Sequence, residues 1–494
     1  MHINSLKITN FKGFAEEKNY LPFNTPNGEK GSGLNIFIGE NNSGKSTVLE
    51  AIDFIRNSTR KDLEAIHHKS ACGSFAKEAI VELEFTGAVV KVIDTFAQPN
   101  KLDPFKQVIY QCDQGRDYFK ISRSTSEIKT LKTWSSANNS FTNTGGLDGT
   151  IKKLFETNFI WADTNPSDEA AFGASTLCGT LLKEIASEHA KTEEFIEFEK
   201  KFNEVFNSQS SELRQKISVI ENKLNSIFSN QFGNASLNFQ FDTPKIESFF
   251  KGSSILIDDG IPVKMDEKGN GMQRSVALAL LQIYAEEVAF DPEKQTSRPF
   301  YLFIDEPEIC LHPMGQIKLF DALLELATYR QVFVTTHSPY FLNSQYLDKV
   351  GIFIFKKENH KNTITKANMD YFFPWSPTWG EINYKAYNLP TVDLHNELYG
   401  YLQEKSENYK EKDFDAWLES QNCPKCKIWI KESKGEILSN TSVTLMTFIR
   451  NHIHHPENSS MKSNRYTPDD LSQSIGEMIR VLKDNHYFRE DESL

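Results

Sequence analysis

The stretch Ile38–Thr47, IGENNSGKST, decides how the rest of the chain is read. Gly39, Gly44, Lys45 and Ser46 stand at the spacing GxxxxGK[ST], with the apolar run LNIFI (34–38) before them and TVLEAIDFI (47–55) after them. Strand, glycine-rich loop and helix in that order form the setting in which this motif binds phosphate. The glycines let backbone N–H groups close around phosphate oxygens, and the helix N-terminus adds positive potential. Lys45 supplies a point charge for the outer phosphates, and Ser46 offers a hydroxyl to Mg²⁺. Asn42 and Thr47, in the same loop, complete the expected nucleotide-binding set.

Further along, two apolar runs each end on a chemically useful side chain. PFYLFIDEPE (299–308) closes on Asp305 and Glu306, and RQVFVTTHSP (330–339) closes on His337. A carboxylate at a strand end suits a second Mg²⁺ contact, and its neighbour can polarise an attacking water. Asp305 takes the first role and Glu306 the second, while His337 is placed to feel the terminal phosphate. A third piece, KGNGMQRS (268–275), opens a helix with glycines that leave backbone N–H groups free for an anion. Strands alternating with helices indicate an α/β fold with a largely parallel sheet. EAIVELEFTG (78–87) and FKQVIYQC (105–112) alternate like strands of an antiparallel sheet, and 125–150, rich in Ser, Thr, Asn and Gly, reads as loop.

The bulk properties agree with a large enzyme head rather than a fibre or a membrane protein. The chain has 494 residues, of which 39% are hydrophobic and 37 are Phe, enough for two or three domains with a sizeable core. A formal charge of −12 argues against non-specific coating of nucleic acid. Six scattered cysteines do not make a disulfide framework and suit a reducing, cytoplasmic setting. The N-terminal alternation lacks the apolar core of a signal peptide, and no apolar run is long enough to span a bilayer.

Taken in order, LKITNFKGF (6–14), the phosphate loop, GNGMQ (269–273), YLFIDEPE (301–308) and TTHS (335–338) resemble the ABC-type ATPases of the SMC/RecF/OLD group. The resemblance covers roughly residues 1–360 and implies an ATPase head with ATP and Mg²⁺ as its ligands. It implies a homodimer, or a higher homo-oligomer, in which Gly269, Asn270, Gly271 and Gln273 of one copy cap the nucleotide of another. It departs from the pattern in places. Asn270 stands where the family often has serine, His312 follows the second acidic motif where transporter members carry aspartate, and the usual glutamine has no clear counterpart, although Gln111 and Gln114 are available. Two charged helical segments between about 181 and 230 read as a short arm. Without CxxC, that arm does not resemble a zinc-hook tether.

Past about residue 360 the composition changes, and 361–494 reads as a mainly α-helical effector domain. YFFPWSPTWGEINYKAYNLP (371–390) marks the joint, where Trp375 and Trp379 are expected to pack. The one DxD, Asp413–Asp415, lies in a charged helical segment and does not fit a TOPRIM nuclease. In TLMTFIRNHIHH (444–455), helical winding gathers Leu445, Met446, Phe448, Ile449 and Ile453 on one side with His452. Arg450, Asn451, His454 and His455 fall on the other. Three readings stay open here: a metal site, a helix end, or metal-free RNA cleavage, which needs a base, an acid and a cation near the ribose 2′-OH. Arg450, Asn451 and His455 resemble the HEPN ribonuclease motif, which implies an RNA-cutting role for them, although some HEPN folds do not cut. Cys423 and Cys426 form a lone CPKC better read as structural thiols than as zinc ligands.

The resulting expectation is an ATP-hydrolysing sensor in bacterial anti-phage defence, with Septu-type ATPases as a close comparison. Its C-terminal domain either cuts RNA under nucleotide control or docks a separately encoded nuclease or toxin, an HNH nuclease among the candidates. A RecF-like DNA-repair ATPase is the third reading.

Overall fold

The computed structural model describes residues 1–15, 19–58, 63–70, 73–76, 78–111, 116–143, 146–162, 192–232, 237–244, 253–283, 290–291, 296–297, 299–342, 345–358, 361–366, 371–433 and 436–487. The chain divides into two compact units, Met1–Ala162 with Glu293–Leu494, and Asp163–Pro292.

In the first unit a six-stranded sheet carries the phosphate loop. Its order is Lys361–Lys366, Gly351–Glu358, Leu34–Gly39, Gln331–Thr336, Phe300–Asp305 and Glu156–Ile160. Every pairing is parallel except that of the edge strand Lys361–Lys366. The two central strands Leu34–Gly39 and Gln331–Thr336 are buried at every residue. Burial on both faces is what a parallel sheet demands, and it explains why these segments read as continuous apolar runs. The sheet runs on to Lys366, past the composition change at 360.

A seven-stranded antiparallel sheet lies in the same unit, in the order Asn19–Pro22, His2–Thr9, Ile80–Thr86, Asp117–Ser124, Lys132–Ser135 and Ser140–Thr142, with Ile109–Gln111 pairing Asp117–Ser124. The two short strands of 132–142 and the helix from Asp148 occupy part of what the composition reads as loop. Trp134 against Phe141, at 5.2 Å between ring centroids, gives that polar hairpin a cross-strand anchor. The phenylalanines supply one aromatic core between the sheets. Phe23 packs on Phe333 at 4.9 Å, Phe303 on Phe333 at 4.7 Å and Phe37 on Phe353 at 5.6 Å. Each fully buried ring is worth about 2 kcal/mol of transfer free energy.

The rest of the first unit is helical from Trp379 to Asp484, with helices Trp379–Tyr387, Val392–Lys405, Glu411–Ser420, Leu445–His454 and Pro468–Asp484. Thr378, Thr391, Thr444 and Thr467 each cap a helix, accepting from backbone N–H groups. A separate core holds these helices, with Leu394, Leu398, Phe414, Phe448, Ile475 and Leu482 inaccessible to solvent. Sequence reading gives no sign of a β-hairpin among them, Lys427–Ser433 paired with Glu436–Val443. Its outer residues are exposed, so hydrophobic alternation gives no signal.

In the second unit the helices Glu193–Phe206 and Glu212–Phe232 form the arm; residues 181–191 lie outside the described residues. Arg214 grips Glu221 with both guanidinium nitrogens, at 3.0 and 3.2 Å. A strand pair, Leu256–Asp258 with Pro262–Lys264, leads to the helix Asn270–Ile283.

Candidate nucleotide site

The phosphate loop closes because its glycines have no side chain. Gly39 has φ 148°, and a Cβ there would meet the Phe355 carbonyl oxygen at 2.2 Å. Gly44, at φ 99°, would meet Asn362 Nδ2 at 2.3 Å. Asn42 also takes the left-handed conformation, at φ 64°, which Asn tolerates better than most residues. The helix Lys45–Asn57 then starts with no side-chain cap. Its N-terminal amides are therefore left to a ligand.

Lys45 is 4% exposed, and its ammonium donates to the Gly39 and Glu40 carbonyls, each at 3.0 Å. Burial pushes its pKa down to about 8, against the pull of Glu306, Asp305 and Glu308. Ser46 Oγ donates to Asp305 Oδ1 at 2.8 Å, and Thr335 Oγ1 donates to the same oxygen at 2.6 Å. Serine and aspartate oxygens so close together suit Mg²⁺, which takes few protein ligands and completes its shell with phosphate and water. Glu306 turns out of the strand with φ 49°, its N–H held by Thr335 Oγ1 at 2.9 Å. Its carboxylate meets His337 Nε2 at 3.0 Å, and His337 Nδ1 lies 3.4 Å from Lys45 Nζ. Burial first, and then Lys45, lower the His337 pKa, so the ring is neutral near pH 7. Asn42, Gly44, Lys45, Ser46, Glu306 and His337 line one cavity of about 780 Å³.

Two residues escape the sequence reading. Glu308 accepts from Thr336 Oγ1 at 2.7 Å, from the His337 N–H at 2.7 Å and from the Ser338 N–H at 3.2 Å. It thereby fixes the backbone under His337, and burial raises its pKa. The only signal was a third acid in IDEPE. Asn362, whose N–H donates to Gly13 O at 2.9 Å, presses on both Gly13 and Gly44; nothing in its polar strand marks it.

Gln114 lies outside the described residues, and Gln111 is exposed and bonded to Asp117 at 2.9 Å. His312 caps the helix Pro313–Leu326, accepting from the Met314 N–H. In the second unit Asn270 and Gly271 open the helix Asn270–Ile283, as the glycine-rich motif suggests. Gln273 is buried, and its amide donates back to the Lys268 carbonyl at 2.7 Å.

With the loop, the paired Ser46 and Asp305, and the Glu306–His337 contact in place, sequence comparison is decisive. Residues 1–109 and 105–342 match the family described as AAA ATPase domain. The chain belongs to that family. Membership makes the matched region an ATPase domain. No curated protein matches the chain. Similar solved structures are an SMC head bound to the C-terminal winged-helix domain of ScpA (15% identity, 74% of this chain and 98% of that one, TM-score 0.42). Others are an SMC head domain from Thermotoga maritima (14%, 74% and 99%, 0.36) and the Smc head with an extended coiled coil bound to ScpA derived from Pyrococcus furiosus (16%, 74% and 96%, 0.40). No described helix is long and apolar enough to cross a membrane.

In the helical region Arg450, Asn451 and His455 sit at the end of the helix Leu445–His454. Asn451 is 1% exposed, which corrects its place on an open polar face. Its amide donates to Glu411 Oε1 at 3.1 Å, and Arg450 Nη1 donates to Glu411 Oε2 at 3.1 Å. The neighbouring helix Glu411–Ser420 covers Asn451, a contact that winding a single helix does not reveal. His455 is the C-cap, half exposed, with Nδ1 3.3 Å from Glu457. Asn451 and His455 line a cavity of about 600 Å³ with Glu411, Asp415 and the hairpin. His452 is half-buried at the edge of the core, its ring against Trp429 and Phe448, on the apolar side of the helix. Among the described residues no group of three or more His, Cys, Asp or Glu could hold a metal. Cys423 is buried against Arg480 with its pKa pushed up to about 11 by burial, and Cys426 is exposed.

Proposed function

We propose that this chain is a cytoplasmic sensor in anti-phage defence, in which ATP held by the head controls cleavage of RNA by the C-terminal region, residues 361–494. The observation that carries the ATP half is the set Lys45, Ser46, Asp305, Glu306 and His337, brought together where one helix start and two strand ends meet. Mg²⁺, held by Ser46 and Asp305, would neutralise charge on the terminal phosphates. Glu306 takes the proton of the attacking water, and His337 holds that carboxylate in place. Asn270, Gly271 and Gln273 of a second copy cap the nucleotide, which makes the working form a homodimer or a higher homo-oligomer.

The RNA half rests on Arg450, Asn451 and His455, the last two of which line the 600 Å³ cavity. Arg450 binds the scissile phosphate, His455 exchanges a proton with the ribose 2′-OH or the leaving oxygen, and Asn451 orients the helix end. One observation favours a second reading. Glu411 engages both Arg450 and Asn451, and Glu457 engages His455, so the free chain offers RNA a site already occupied by carboxylates. In that reading the face docks a partner nuclease or toxin, such as an HNH enzyme encoded nearby. Purified wild type, Arg450→Ala and His455→Ala incubated with total RNA, with and without ATP, separate the two. Cleavage lost in both variants supports the first reading; a wild type inert on RNA under every condition overturns it in favour of docking.

A further inference from the structure

A helix from the C-terminal region packs where the strands Leu34–Gly39 and Gln331–Thr336 end, beside the nucleotide site. Tyr387 closes the helix Trp379–Tyr387, the first helix of the C-terminal region. Its hydroxyl donates to the Thr336 carbonyl at 3.3 Å, directly before His337. The same helix packs on the strand Leu34–Gly39, which leads into the phosphate loop. One helix thus packs on the strand that feeds the phosphate loop and bonds to the strand that presents His337. The same helix makes a second bond at its other end, where Trp379 Nε1 donates to the Pro339 carbonyl at 2.7 Å. The helix therefore spans the switch segment 336–339, held at both tips. From Tyr387 the chain turns at Asn388, φ 51°, and enters the helix Val392–Lys405, which packs on the helices Leu445–His454 and Pro468–Asp484. A path of packed elements runs from Gly39 to the helix carrying Arg450.

We propose that Tyr387 is a positioning residue of the nucleotide site and the contact through which the C-terminal helices sense its occupancy. The physical reason is geometric. When phosphate draws the loop amides, a helix that packs on the strand feeding the loop and is bonded to residues 336 and 339 registers the shift. A hydrogen bond of ordinary strength suffices, because coupling between sites needs only a small free-energy difference between two arrangements. The inference rests on the ATP-dependent half of the proposed function.

The test is amide hydrogen exchange on the full-length chain, with and without ATP and Mg²⁺, in wild type, Tyr387→Phe and Trp379→Phe. In wild type, nucleotide slows exchange both in residues 39–47 and in 379–387. In Tyr387→Phe the loop response persists, while the response of 379–387 falls about fivefold, the scale of losing one neutral hydrogen bond. Trp379→Phe weakens the same response from the opposite tip. Loop protection in wild type with a silent 379–387, or a Tyr387→Phe response equal to wild type, overturns the coupling role alone. No protection of 39–47 in wild type overturns the nucleotide reading beneath it.

Discussion

Lys45 makes ATP affinity dependent on pH in a window where little else at the site titrates. Burial lowers its pKa from 10.5 to about 8 in the free protein. Phosphate charge placed beside it favours the ammonium and draws the value back up. Binding therefore takes up a proton wherever the free site has lost one. At pH 9 only about a tenth of Lys45 is charged before binding, so the ATP association constant falls about tenfold from its neutral value, and about tenfold again at pH 10. His337 is already neutral throughout this range, and phosphate esters are fully ionised by pH 8. The unliganded fold responds with the opposite sign. Between pH 8 and 10.5 the unfolded chain holds the extra proton, so stability rises with pH across that window. Equilibrium binding of ATP with Mg²⁺ between about pH 7 and 10 reads the slope directly. Lys45→Arg, charged at every accessible pH, should bind with a flat profile whatever its absolute affinity. A wild-type curve as flat as that of Lys45→Arg would refute the reasoning, because Lys45 would then carry its proton in both states.

Glu306→Gln should still bind ATP while hydrolysis drops about a hundredfold or more, measured by phosphate release; unchanged turnover would remove Glu306 from the chemistry. Glu308→Ala orphans the His337 N–H and the Thr336 hydroxyl, costing about 1–3 kcal/mol for each buried group left unpaired, and the loss should appear as a lower urea midpoint together with slower hydrolysis. His395 is buried against Ser474, its pKa pushed down to about 3 first by burial and then by His454. Its ordinary value is 6.5, so the unfolded chain binds the extra proton between those values and stability falls on acidification, by at most about 1.4 kcal/mol per pH unit. His395→Gln should flatten that part of the acid-unfolding curve. Arg450→Ala removes one partly exposed ion pair with Glu411, so its thermal stability should stay within about 1 kcal/mol of wild type even as any RNA cleavage is lost.

What the chain announces by itself is local. The phosphate loop is contiguous, and its chemistry requires glycines at fixed spacing, so Ile38–Thr47 could be read without a structure. The strand-end placement of Asp305, Glu306 and His337 was legible for a similar reason: a strand buried on both faces is an unbroken apolar run, and the residue that ends it marks the sheet's edge. The helix near 445–454 was equally plain from its period. Tertiary packing decided the rest. Asn451 looked open because winding one helix cannot show that Glu411–Ser420 covers it. The hairpin 427–443 was invisible because its exposed strand carries no alternation. Glu308 and Tyr387 gain their meaning from partners distant in sequence, Tyr387 reaching Thr336 from 51 positions away. Spacing along the chain encodes groups that one loop or one helix face brings together; groups that meet only when sheet, switch and C-terminal helix are packed carry no mark until the fold is formed.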